Sequence, residues 1–136
     1  QQLLKRKRSQ PLRWCMRQQG SGMQRFFDEA LGRQQLPDTA PGVSATALSE
    51  RDAARQIMLG QADCAPGCAA TAAEFGLGFL PLGQEAVDPV LPQGIYFRKL
   101  FQQMLEQLQS ENFRRQAARL PGYDLEHCGR IEWGMQ

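Results

Sequence analysis

Short apolar runs alternate with stretches of helical period along residues 12–120, and this alternation restricts the fold more than any other feature of the chain. Residues 12–16, with Trp14 and Cys15, read as a buried strand. A polar turn follows, Arg17-Gln18-Gln19-Gly20-Ser21-Gly22. From Met23 the period becomes helical, because Phe26, Phe27, Ala30 and Leu31 fall on one face, and Gly32 is a C-terminal stop. The loop 37–42 leads into a second strand, 43–48. Ser49 then starts a helix with acids in its first turn, whose inner face is Ala53, Ala54, Ile57 and Met58 and whose end is Gly60. Residues 62–65 read as a short strand, and Pro66-Gly67 turns the chain into a helix over 68–75 that stops at Gly76. Residues 77–82 are strand-like. Residues 87–91 read as an edge strand, since Pro89 lacks a donor.

The clearest amphipathic helix spans 95–109, with Phe97, Leu100, Phe101, Met104, Leu105 and Leu108 at helical spacing. Ser110 is the expected N-cap of a last helix lined by Phe113, Ala117 and Leu120 and ended by Pro121-Gly122. No internal repeat is visible. Strands alternating with helices predict an α/β fold with a largely parallel sheet covered by helices.

The chain has 136 residues, 42% hydrophobic and 22% charged, which suits one globular domain. Its net charge of +2 gives no strong case for a nucleic-acid partner. Lys5-Arg6-Lys7-Arg8 could touch nucleic acid, but such a run is more often a solvated end, and no long apolar stretch follows it as in a signal peptide. No apolar run reaches the ~18 residues of a membrane span. The first residue is Gln rather than Met, so a fragment of a longer protein is expected. The expected organisation is a polar tail or linker over 1–10, one lobe over 11–131 and a tail over 132–136.

The best candidate for ligand contact is the turn after the first strand. A helix start presents backbone N–H groups without intrahelical partners, and the helix dipole adds positive charge there. Glycines let an anion approach the backbone, and a serine hydroxyl can donate. Gly20, Ser21, Gly22 and the N–H groups of Met23 and Gln24 therefore form a plausible anion cradle, with Arg17 and Arg25 close enough to add charge. The competing reading of the first turn is pure geometry. It is neither a dinucleotide fingerprint nor a P-loop, since no GxGxxG and no Gly-Lys-Ser/Thr is present.

Other chemistry is less well supported. Cys64, Cys68, His127 and Cys128 could ligate zinc in principle, but their spacing is not a zinc signature. Cys15 and Cys64 lie in strand-like runs, where a free thiol acts as a small apolar group and points to a reducing, cytoplasmic setting. No general base, nucleophile or metal set converges, so no catalysis, cofactor or metal is expected. Asp63, at a strand end, could contact ligand or cap the helix that starts near Cys68, and the structural role is the preferred reading. Tyr123 is expected to pack its ring at the C-terminal turn.

The order of these motifs resembles the periplasmic-binding-protein-like ligand-binding domain, of the type 2, LysR-substrate-binding or molybdate-binding sort. That domain is attached to helix-turn-helix regulators and to molybdopterin-biosynthesis proteins. Arg17-Gln18-Gln19-Gly20-Ser21-Gly22 is similar to its Asn-Arg-Gln-Pro-Gly-Ser-Gly-Thr-Arg stretch. Gly60-Gln61-Ala62-Asp63 resembles its Gly-Arg-Ala-Asp, and the segment Phe75 to Leu82 its Leu-Gly-Leu-Asp-Phe-Ile-Pro-Leu. Phe113-Arg114 and Gly122-Tyr123-Asp124 resemble its closing helix and turn.

The resemblance implies a three-layer lobe with a C-terminal helical pair. It implies binding of a small anion, an oxyanion such as molybdate or tungstate or an organic anion. It also implies signalling to a DNA-binding or enzymatic domain elsewhere. Met23 stands where the family has Thr, removing a hydroxyl, and Gln24 stands where it has Arg, with Arg25 able to compensate. Cys64-Ala65-Pro66-Gly67 stands where the family has Ala-Gly-Leu-Gly, and Pro66 has no N–H, so the resemblance implies a weaker cradle at Gly67. The family's first half has no counterpart here, so the cleft is expected to have one wall. The alternative expectation is a truncated structural module that no longer binds ligand and dimerises through an exposed sheet edge or the helix 95–109.

Overall fold

A computed structural model describes residues 11–33 and 42–132. The basic run at 5–8, most of the loop 37–42 and Trp133 lie outside the described residues. The chain divides into two compact units, Gln1–Leu82 and Gly83–Gln136.

The first unit is built on two parallel strands, β1 (Arg13–Arg17) and β2 (Gly42–Ala47). Between them the chain forms α1 (Gly22–Arg33), as a parallel pair requires of its crossover. Trp14 pairs with Val43 and Cys15 with Ala45, so Ser44 is an extra residue in β2. Its hydroxyl donates to the Trp14 and Gln61 carbonyls at 3.4 and 3.0 Å. On the other edge of β1, Cys64 makes a single parallel bridge to Trp14. The Cys15 N–H donates to the Cys64 carbonyl at 2.9 Å, and the Asp63 N–H donates to the Arg13 carbonyl at 2.8 Å. Thus β1 is central, with β2 on one side and the segment around Cys64 on the other.

Helices cover both faces of β1. Successive side chains on a strand leave opposite faces. The Trp14 ring meets Phe27 of α1 with centroids 5.1 Å apart. Cys15, fully buried, clusters instead with Ala47, Ala62 and Ala53 of α2 (Glu50–Met58), flanked by Ala45, Ile57 and Ala65. Small residues at this contact let helix and sheet approach closely. The start of α2 follows from sequence: the Ser49 hydroxyl accepts the Asp52 N–H at 3.0 Å, and the Asp52 carboxylate accepts the Leu48 N–H at 3.2 Å. At its end Gly60 takes a positive φ of 71°. A short helix, α3 (Ala69–Glu74), joins α2 through the Arg51–Glu74 ion pair at 3.0 Å.

The second unit holds α4 (Gln93–Tyr96), α5 (Lys99–Gln109) and α6 (Glu111–Ala117), none with a buried residue. Tyr96 stacks edge-on against Phe97 and tilts against Phe101, with centroids 5.3 and 5.7 Å away. Ser110 ends α5 and caps α6, its hydroxyl accepting the Phe113 N–H at 3.2 Å.

Four expectations are corrected. The strand expected at 62–65 is reduced to the Cys64 bridge, and neither 77–82 nor 87–91 forms a strand. An apolar run becomes a strand only where a neighbour takes its backbone groups, and among the described residues these runs have no such neighbour. The "largely parallel sheet" is therefore a two-stranded parallel pair with one added bridge. The helix expected over 95–109 breaks at Arg98, which is extended at φ −72°, ψ 142°. The Tyr96 carbonyl is there taken by the Gln102 side chain instead.

Candidate functional site

Both strands run the same way, so their carboxyl ends share one edge, and that edge is where open parallel sheets take ligands. Three segments meet the edge in sequence order: 18–21 before α1, 48–49 before α2 and 65–68 before α3. The first two are tied together, because the Gln18 N–H donates to the Ala47 carbonyl at 3.2 Å.

The turn itself is closed by the Ser21 N–H donating to the Gln18 carbonyl at 3.1 Å. Gly20 has φ of 86°, a conformation that a side chain resists, which is the local reason for glycine there. Ser21 caps α1: its hydroxyl oxygen accepts the Gln24 N–H at 3.4 Å, and its carbonyl accepts the Arg25 N–H at 3.1 Å. This leaves the Gly22 and Met23 N–H groups, at the first two helical positions, without intrahelical acceptors, and leaves the Ser21 hydroxyl hydrogen able to donate. No room is lost at Gly22, where a Cβ would meet nothing within 4 Å.

The two full helix starts at this edge differ in charge. The first turn of α1 has no acidic residue, whereas that of α2 holds Glu50 and Asp52. The Glu50 carboxylate accepts the Thr71 hydroxyl at 3.4 Å, and Thr71 in turn lies 3.2 Å from the Cys68 sulfur. An anion at this edge is therefore favoured by α1 and opposed by α2.

The sequence-derived residues fall out as follows. Arg17, Gly20, Ser21, Gly22, Met23, Gln24 and Arg25 lie together on one turn at the carboxyl edge. Arg17 donates through Nε to Gln18 at 3.3 Å and makes no ion pair among the described residues. Arg25 is paired with Glu29 at 2.9 Å, which offsets its charge. The Gln24 side chain is engaged inside the protein: its Oε1 accepts the Arg17 N–H at 2.9 Å, and its Nε2 donates to Asp28 at 2.9 Å and to the Met16 sulfur at 3.7 Å. Gly67 lies at the same edge, beyond the buried Pro66, but the helix it precedes has only six residues and a small dipole.

Asp63 sits elsewhere. It accepts the Arg13 N–H and Nε at 2.9 and 3.3 Å and pairs with the Arg13 guanidinium at 3.2 Å, at the amino end of β1. Its structural role is thus a strand tie rather than a helix cap, and Cys68 caps α3 with no side-chain bond. Tyr123 is 58% exposed, not packed. His127 shares a hydrogen bond with Arg130 at 2.8 Å. Among the described residues no three His, Cys, Asp or Glu side chains gather as metal ligands. All four cysteines are free. Burial pushes the Cys64 thiol up to about 12, with Asp63 adding to it, which keeps it protonated and unreactive.

Sequence reasoning missed Gln18 and Asp28, which fix the turn. The Gln24–Asp28 pair had a legible signal, side chains four apart on one helix. The Gln18 tie had none, since it joins residues 29 positions apart through backbone alone.

No curated protein and no solved structure matches the chain. The family model of the PBP superfamily domain matches residues 1–109, spanning the whole first unit and part of the second. The chain belongs to the PBP superfamily, the periplasmic-binding-protein-like domains, whose general function is ligand binding.

Proposed function

We propose that the carboxyl edge of the parallel pair binds a small anion, an oxyanion such as molybdate or tungstate or a small organic anion. The protein senses it rather than transforming it. The observation that carries this is the start of α1. There, two backbone N–H groups, one hydroxyl and an acid-free first turn face the edge of the sheet, with Arg17 alongside. Occupancy passes to a DNA-binding or enzymatic domain that the sensor serves, in a regulatory or molybdenum-cofactor-related protein. Four free thiols suit work in the cytoplasm.

Thermal-shift titration with molybdate, tungstate, sulfate, phosphate and small carboxylates tests this. A ligand that binds only the folded state stabilises it by RT ln(1 + [L]/Kd), about 2.7 kcal/mol at a hundredfold excess over Kd. No shift with any of them at millimolar concentration would sink the sensor function.

A second reading has its own observation. Phe97 and Leu100 on the helical unit are 72% and 81% exposed. Exposed apolar stripes of this kind mark association surfaces, so the chain would act as a dimerisation module. Mass measurement in solution checks it: a dimer that Leu100→Glu dissolves supports this reading, and a monomer at all concentrations removes it.

A further inference from the structure

We propose that Gln24 is a positioning residue of the α1 turn, acting through its carboxamide on the backbone rather than on a ligand. This rests on the anion site proposed above. The carboxamide spans the two elements that the turn connects. Its Oε1 accepts the N–H of Arg17, the last residue of β1, at 2.9 Å. Its Nε2 donates to Asp28, one turn further along α1, at 2.9 Å, and to the Met16 sulfur at 3.7 Å. Its own N–H is held by the Ser21 hydroxyl oxygen at 3.4 Å.

Arg17 ends β1, and the chain must reverse within four residues to enter α1 at Gly22. The Arg17 N–H, at the end of a strand, would otherwise be left to water. Taking it with a side chain from the first turn of α1 fixes how far the strand end lies from the helix start. That distance sets where the Gly22 and Met23 N–H groups and the Ser21 hydroxyl aim. Asp28 completes the device by holding the amide so that oxygen, not nitrogen, meets Arg17. An engaged carboxamide is also not free to turn outward to a ligand.

The test uses the full chain, with sulfate and molybdate as probes, and reads two quantities: anion Kd by calorimetry and hydrogen exchange of the Arg17 amide. Gln24→Ala should speed Arg17 exchange roughly fivefold, the size of one ordinary hydrogen bond, and weaken anion binding by a similar factor. Gln24→Glu alone places a carboxylate against Asp28 and should weaken binding further. Gln24→Glu combined with Asp28→Asn exchanges donor and acceptor between the two positions at unchanged net charge, and should restore Arg17 protection while anion affinity stays low, because the carboxylate now sits in the first turn of α1. A purely stabilising role would not couple these two readouts in Gln24→Ala.

Unchanged Arg17 exchange in Gln24→Ala would overturn the proposal. So would lost affinity with Arg17 protection intact, which marks a direct ligand contact, or failure of the double variant to recover Arg17 protection. Should the unaltered protein bind neither anion, the anion site fails, while the Arg17 exchange and its recovery still decide the role of Gln24.

Discussion

Single residues at the α1 turn have separable jobs. Gly20 supplies a backbone conformation: at φ 86°, Gly20→Ala should cost about 1–2 kcal/mol in chemical denaturation. Ser21 supplies an oxygen to the helix and a hydrogen to the edge. Ser21→Ala should cost about 1 kcal/mol of stability through the lost cap, and weaken anion binding beyond that loss. Binding unchanged in Ser21→Ala would remove the hydroxyl from the site. Cys64 gives a pH signature. Its folded-state value is raised from 9.0 to about 12, so the folded protein holds the thiol proton more tightly than the unfolded chain does. Stability is unaffected below pH 9.0 and falls as pH rises from there towards about 12. Cys64→Ala should flatten that fall, which denaturation curves on either side of pH 9.0 would show. Among these features, the glycine and serine of the turn were legible as residue types in a strand-to-helix connection. The Gln24 carboxamide was not, because its partner atoms are set by how β1 and α1 approach each other.

The elements differ in how much of them is local. α2 is written into its own sequence: the Ser49 hydroxyl caps the Asp52 N–H, the Asp52 carboxylate accepts the Leu48 N–H, Ala53, Ala54 and Ile57 repeat on one face, and Gly60 stops it. Ser49→Ala should cost about 1 kcal/mol. The same holds for α6, which Ser110 caps. β1 depends on its neighbours for energy. Trp14 and Cys15 serve opposite faces, so Trp14→Ala should cost about 3–5 kcal/mol by emptying the space against Phe27, while Ala53→Leu should cost about 1–3 kcal/mol by crowding Cys15. Equal and small effects of these two changes would contradict a two-faced sheet. The runs at 77–82 and 87–91 have the apolar residues of strands but no strand beside them. Composition places a segment among strand candidates, and only pairing makes it one.

At the scale of the molecule, the two units meet different standards of packing. The first owns every buried apolar residue found among the described ones, and the second has helices without a buried side chain. The stretch 83–91 between α3 and α4 carries no regular structure and is exposed up to Val90, at 96%. Limited digestion with thermolysin, which cuts before large apolar residues, should therefore act first near Val87 and Val90; early cuts within α2 instead would count against the division. The sequence by itself determined the α/β class, the strand–turn–helix of β1 and α1 and both serine caps, because each rests on residue type at short spacing; the PBP-like character came from the resemblance of its ordered motifs and from the family model that matches residues 1–109. Only the tertiary structure decided that Cys64 joins β1 by one bridge and that Asp63 binds Arg13 at the amino end. It alone decided that the segments before α1 and α2 meet at one edge, where the Gln18 N–H donates to the Ala47 carbonyl. Those outcomes depend on which backbone groups and charges distant segments bring to the same edge, and no local pattern encodes that distance.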